Sequence, residues 1–237
     1  MSIDGVARLG GICGLLFVLL MVPAYAVGYP DAPVSSSNAR EALVYFGASP
    51  GNFVLFNGVF AVFSTFFFLW FLGALHGVLR RAEGEGGGLS SAALAGGTAF
   101  IVLSCAGYAT ELLAPATLVR FDNYVPEAQG IFESLVLSSW LYHFCQVGAA
   151  VMVSATSLVV LTTGIMPRWL ALVGLVAALL TLLHFLLPLI GAVAGLVWVA
   201  LISALMLAGG PGASSSASSP RRHSRPRGRS QGERLSE

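Results

Sequence analysis

Six apolar runs, each long enough to cross a bilayer as a helix, constrain this chain more than any other feature. A span needs about 20 mainly apolar residues. Only 10% of the 237 residues are charged, too few to cover the surface of a water-soluble domain of this size. The sequence therefore predicts an all-α polytopic membrane bundle. The predicted spans are residues 9–28, 53–79, 92–113, 137–162, 169–187 and 190–208.

The last two apolar runs are separated only by a turn signal. Their combined length is too great for one span, and Pro188 with Gly191 favours a turn between them. We therefore predict a tight helical hairpin at this point.

The arginines give the predicted bundle a direction. The chain has no lysine, and ten of its twelve arginines lie in segments on the side of the N-terminus, against Arg40 and Arg120 on the other. Because basic residues accumulate on the cytoplasmic side, we expect both termini in the cytoplasm of a cell-membrane protein. The inner set is Arg8, Arg80, Arg81, Arg168, Arg221, Arg222, Arg225, Arg227, Arg229 and Arg234.

The first span has an alternative interpretation as a cleaved signal peptide. Ala24, Tyr25 and Ala26 resemble a small-residue cleavage site. The apolar run is longer than a usual signal peptide core, and the segment before it is not net positive. We therefore expect six retained spans, and cleavage would leave five in the same orientation.

Residues 209–237 contain mainly Gly, Ser, Pro and Arg, and so cannot bury enough apolar surface to fold. We predict a transmembrane domain over residues 1–208 followed by a disordered cytoplasmic tail. Its arginines either contact anionic lipid headgroups or form a solvated tail that fixes the topology. The expected partner is the lipid bilayer. No nucleic acid is expected, since no ordered basic face is present, and the oligomeric state is left open.

Two outer segments are predicted to contain helix. Asn38 can cap a short helix in which Glu41 reaches back, and Leu43 and Phe46 share one face with Ala39. This pattern is typical of an interfacial helix on the outer leaflet.

In the second outer segment, Pro126 suits a first helical position, so the fourth helix can begin outside the membrane. Glu127 and Glu133 would then lie in water.

Four stretches of the chain carry a resemblance to a known family. They are Ile165–Leu175 (IMPRWLALVGL), Ala7–Ile12 (ARLGGI), residues 48–81 ending in LHGVLRR, and Tyr108–Glu111 (YATE). Together they resemble the bacterial membrane proteins of the domain-of-unknown-function 4386 type. The resemblance covers about residues 7–208 and implies a six-helix membrane protein. It implies no activity, no cofactor and no catalytic residue, because the family is described as uncharacterised.

Ionisable side chains inside spans are costly and are therefore functional candidates. At about 1.5 Å rise per residue, Glu111, His143 and His184 all fall in the outer third of the bilayer, with Tyr108 and Tyr142 at a similar depth. We predict a candidate polar pocket from these five residues.

The pocket admits several chemistries. Two imidazoles and a carboxylate suit a metal such as zinc, two imidazoles on facing helices suit haem iron, and Glu beside His can relay protons. Alternatively, each side chain satisfies a local hydrogen bond. His76 lies one turn before Arg80, where an interfacial position explains it.

No sequence motif assigns an enzymatic activity. We find no phosphate-binding glycine loop, no serine nucleophile motif and no HExxH, and the three cysteines form no CxxC pair. We therefore favour non-enzymatic binding or passage of a small ligand, most simply with no cofactor. The alternatives are a membrane-embedded metal or haem protein, and a structural subunit that binds a partner.

Overall fold

The computed structural model describes residues 3–28, 39–121 and 127–208. The predicted tail, and the proposed helix starts at Asn38 and Pro126, lie outside these residues. The described chain is helical and has no strand in these ranges. Its helices are α1 Ile3–Gly28, α2 Ala39–Ala48, α3 Pro50–Glu83, α4 Gly88–Glu111, α5 Leu113–Arg120, α6 Ala128–Thr163, α7 Arg168–Phe185 and α8 Pro188–Ala208.

The prediction of six spans is confirmed. Six of the helices, namely α1, α3, α4, α6, α7 and α8, are long and apolar enough to cross a membrane. The predicted hairpin is also confirmed, because α7 ends in a short 3-10 turn, Leu183–Phe185, and α8 starts at Pro188. The helices extend beyond the predicted spans by up to nine residues, most of all at α6, which begins at Ala128.

The long helix α6 projects beyond the bilayer. Its 36 residues measure about 54 Å, well above the roughly 30 Å of a hydrocarbon core. Glu127, its N-cap, and Glu133 in its second turn are exposed, as predicted. The other helices therefore surround only part of α6, and its outer end is free to carry other elements.

A small cap packs on the N-terminal end of α6, at the end of the bundle that the arginines predict to face outward. It consists of α2 and α5, and Phe46 of α2 is fully buried against Phe53, Ala114 and Ile131. The interfacial placement predicted for α2 assigned this apolar face to lipid, whereas the structure buries Phe46 against protein. Helix α5 was not predicted.

Helix α1 is part of the core. Phe17 and Met21 are buried, and α1 packs along both α3 and α8. The absence of a side chain at Gly10 and Gly14 makes this possible, since a Cβ atom at these positions would collide with Ala74 and Ser203 respectively. This packing favours a retained first span over a cleaved one.

Helices α4 and α6 form the most extensive helix pair, and they meet at two glycines. A Cβ atom on Gly96 would lie 2.7 Å from the carbonyl oxygen of Gly148, and one on Gly148 would lie 2.6 Å from the amide nitrogen of Phe100. Small residues at such crossings let backbones approach closely, which is how membrane helices gain packing energy. The crossing fixes α6 against α4 below the candidate site.

The inner loop between α3 and α4 is held by a carboxylate. Glu83 accepts hydrogen bonds from the amides of Leu89 and Ser90, both at 2.9 Å, at the start of α4. Its negative charge also suits the positive end of the α4 dipole. His76 lies beside the same turn, with Nδ1 3.1 Å from the carbonyl oxygen of Ser90, at the end of the bundle that the arginines predict to be cytoplasmic.

Candidate functional site

The candidate residues divide into two separate contacts on neighbouring positions of α6. Tyr142 faces α4, where it meets Glu111, and His143 faces α7, where it meets His184. Consecutive residues of a helix point about 100° apart, because a turn takes 3.6 residues. The two contacts thus lie at the same level along α6 but on different faces of that helix.

The first contact ties the end of α4 to α6. The Tyr142 hydroxyl donates a hydrogen bond of 2.5 Å to Oε2 of Glu111, the last residue of α4. A carboxylate at the negative end of a helix dipole is unfavourable without a donor, which Tyr142 supplies. The Tyr142 ring occupies the space left open at Gly107, where a Cβ atom would lie 2.6 Å from the ring. This geometry is that of a structural hydrogen bond.

Tyr108 extends the first contact toward α1. Its ring meets Tyr142 edge-on with 5.4 Å between centroids, and its hydroxyl donates to the Met21 sulfur at 3.4 Å. Both hydroxyls are therefore already engaged within the bundle, and neither is directed at an open site.

The second contact is the histidine pair, His143 and His184. Their Nδ1 atoms lie 3.0 Å apart and their ring centroids 5.1 Å apart. His184 is only 3% exposed, in the last turn of α7, and Gly191 of α8 lets the hairpin close over it. A Cβ atom at Gly191 would lie 3.2 Å from the His184 Cα atom.

The Nε2 atoms of the two histidines, which take no part in the contact between the rings, have opposite surroundings. His184 Nε2 is enclosed by protein and has no hydrogen-bond partner within residues 3–28, 39–121 and 127–208. His143 Nε2 also makes no hydrogen bond in the described ranges, but it is not among the enclosed polar atoms and His143 is only half-buried. One end of the pair is thus sealed, and the other is open to the outside of the bundle.

This asymmetry selects a tautomer. One neutral imidazole must donate from Nδ1, and the other must accept there and carry its proton on Nε2. If His143 donated, a buried N–H would be left unpaired on His184, and genuinely orphaned buried N–H groups are rare. With His184 as donor, only a lone pair is left unpaired there, and His143 presents Nε2–H outward. We assign this second arrangement from the hydrogen-bonding geometry.

Two aromatic rings flank the open end of the pair, and we call them the aromatic platform. They are Trp140, one turn before His143 on α6, and Phe185, next to His184 on α7. Their centroids lie 6.1 Å apart with a 35° angle between planes, and both rings are at least half exposed. The His143 ring stands at 80° to the indole and 60° to the Phe185 ring. The sequence prediction missed both residues, although the Trp-x-x-His spacing on one helix face was visible.

A metal site built from Glu111, His143 and His184 together is not formed. Within the described part of the chain, no group of three His, Cys, Asp or Glu side chains is placed to hold a metal ion. Glu111 is directed to Tyr142 on the other face of α6, so only two imidazoles remain as ligands. Binding a metal at His143 Nε2 would also force the unpaired N–H onto His184, at a cost of about 1–3 kcal/mol.

A cavity of about 20 Å³ lies in the centre of the bundle, among residues such as Phe17, Phe68, Gln146 and Met152. One water molecule fills a space of about 10–15 Å³, so the cavity suits a water rather than an organic ligand. This cavity therefore offers no room for a larger ligand. The histidine pair does not line it.

The fold and its six apolar spans define a multi-pass membrane protein. Comparison of the chain with protein-family models, with curated proteins and with solved structures finds no match.

Proposed function

We propose that this protein binds a small lipid-soluble ligand at the histidine pair, from the outer leaflet of the cell membrane, without changing it chemically. The observation that carries this proposal is His143 Nε2, a ring nitrogen open to the outside of the bundle and without a hydrogen-bond partner among the described residues. A polar group that faces hydrocarbon without a partner costs several kcal/mol. A ligand with a hydrogen-bond acceptor removes that cost.

The surroundings of His143 support an apolar ligand. Trp140, Phe144 and Phe185 are 50% to 63% exposed, and they lie on the same outward side as the imidazole. The turn that follows is also apolar and exposed, since Leu186 is 69% and Leu189 is 54% accessible. A water-soluble ligand would gain nothing from this surface, whereas an amphiphile can place its polar end at His143 and its apolar part along the helices.

Non-enzymatic binding is the simplest account of the same geometry. The site contains no nucleophile paired with a base, and the carboxylate of Glu111 is held by Tyr142 away from the histidines. The resemblance to the domain-of-unknown-function 4386 type is a prediction from the sequence, and it adds no chemistry to the site.

The test is the identity of compounds that stay with the protein when it is extracted in native lipid discs. We expect a stoichiometric lipophilic compound with wild-type protein and with the matched control His76→Ala, whose histidine lies at the inner end of the bundle. The His143→Ala variant should lose this compound while remaining folded, although its thermal midpoint should fall because the buried His184 Nδ1–H loses its acceptor. Identical lipid content in all three proteins would contradict the proposal, as would stoichiometric iron or zinc.

A further inference from the structure

The tautomer of the histidine pair sets which ligands can bind. Because the sealed end at His184 leaves only a lone pair there, His143 presents an N–H donor and not a lone pair. The ligand must therefore supply an acceptor oxygen. Metal ions and other electron-pair acceptors are disfavoured at this nitrogen.

The aromatic platform narrows the shape of the ligand. Trp140 and Phe185 are tilted by 35° to each other and expose half or more of their surfaces, so they offer aromatic contact beside His143. The His143 ring contacts both, at 80° and 60°. A ligand that carries its acceptor on a flat ring gains contact with these side chains when the acceptor bonds to the imidazole N–H. Offset contacts between aromatic rings add stabilisation beyond their buried area.

The rest of the exposed surface fits a hydrocarbon tail. Phe144 lies one turn inward from Trp140 on α6, and Leu186 and Leu187 lie beyond Phe185, all of them exposed. A phospholipid ester carbonyl offers an acceptor as well, but it offers no ring to the platform. The combined pattern is a carbonyl on a flat ring that carries an alkyl chain.

We propose that the ligand is a lipid-soluble carbonyl compound of the quinone class, hydrogen-bonded to His143 Nε2 and packed on Trp140 and Phe185. This rests on the proposed function and adds the chemical class of the ligand. Binding requires no electron transfer, and the proposal includes none.

The test uses the full-length protein in phospholipid nanodiscs and a tritiated benzoquinone with a ten-carbon tail. Empty nanodiscs correct for partition into lipid. We expect saturable binding of one molecule per protein. Loss of one hydrogen bond to an acceptor should weaken binding about tenfold, which corresponds to about 1.4 kcal/mol. We expect this loss for His143→Ala, and also when the probe is replaced by a dimethylarene analogue in which methyl groups stand where the carbonyl oxygens were, because it keeps the flat ring and the tail but has no acceptor.

Two further variants separate site effects from folding effects. Trp140→Leu keeps an apolar side chain but removes one ring of the aromatic platform. It should therefore weaken binding of the quinone probe, but it should not change the phospholipid that is retained from the nanodisc. His76→Ala should bind as the wild type does.

Quinone uptake equal to that of empty discs, or wild-type affinity in His143→Ala, would overturn the assignment to the quinone class. If another lipid is nevertheless retained in a His143-dependent way, the proposed function stands and only the class is wrong. If no lipid depends on His143, both proposals fail.

Discussion

His143 on α6 and His184 on α7 are joined through their Nδ1 atoms, 3.0 Å apart, in the outer part of the bundle. The link connects α6 to the hairpin of α7 and α8, whose short turn is apolar and exposed. One ring is sealed by protein and the other is open, so the pair has a direction. The pair of one buried and one half-buried histidine therefore presents a hydrogen-bond donor at the surface of the bundle.

The glycine crossing between α4 and α6 should be sensitive to a single methyl group. Gly148→Ala places a Cβ atom 2.6 Å from the Phe100 amide nitrogen, so the helices must separate. We expect a loss of about 1–3 kcal/mol in unfolding free energy, the usual cost of overpacking. Gly73→Ala is the matched control, because nothing lies within 4 Å of its Cβ position. Unfolding in mixed detergent micelles measures both, and equal stability of the two variants would contradict the crossing.

The hydrogen bond between Tyr142 and Glu111 should be measurable as an energetic coupling. We expect Tyr142→Phe and Glu111→Ala, which remove the donor and the acceptor respectively, each to destabilise the protein, and the double variant to lose less than the sum. The coupling should be about 0.6–1.7 kcal/mol, the range found for hydrogen bonds between membrane helices. A double-mutant cycle on unfolding free energies gives this number. Strictly additive effects would show that the two side chains do not interact.

The inner loop offers a matched pair of glutamates. Glu83 caps two amides in the first turn of α4, those of Leu89 and Ser90, whereas Glu85 is exposed and makes no such contact in the described structure. Glu83→Ala should lower the thermal midpoint, because it leaves the Leu89 and Ser90 amides unpaired, and Glu85→Ala should not. Thermal unfolding in detergent compares them. A lower midpoint for Glu85→Ala alone would refute the capping role.

The predicted orientation can be tested with one cysteine on each side. Glu133→Cys lies on the exposed outer end of α6 and Glu85→Cys lies in the inner loop. In a background without Cys13, Cys105 and Cys145, a membrane-impermeant maleimide added to intact cells should label position 133 only. Labelling of position 85 from outside would reverse the topology.

The sequence predicted those parts of the fold that depend on the length of an apolar run or on a single turn residue. Apolar length fixed the six spans, and Pro188 fixed the hairpin. Helix α5 was missed because its eight residues show no capping pattern. Its buried residue Ala114 packs on Phe46 and Phe53, a contact that exists only in the folded chain. For the same reason the burial of Phe46 against protein rather than lipid was not predictable.

The sequence predicted the level of the candidate residues along their helices, but not which face of each helix they occupy. Rise per residue placed Glu111, His143 and His184 at one level, and the structure pairs two of them. The separation of Glu111 depends on which face of α6 meets α4 and which meets α7. That rotation is set by contacts such as Gly107 against the Tyr142 ring, which no helical period reveals.

The protonation pattern of the histidine pair tests the central claim most directly. The chain has four histidines, so ¹⁵N-histidine labelling of the protein in bilayers gives a spectrum simple enough to assign with His→Ala variants. Magic-angle-spinning NMR reports which ring nitrogen of each residue carries hydrogen. We expect His184 protonated at Nδ1 and His143 at Nε2, with the His143 Nε2 signal shifting when the quinone probe is added. Finding hydrogen on His143 Nδ1 and His184 Nε2, or no change at His143 Nε2 with saturating probe, would contradict the account.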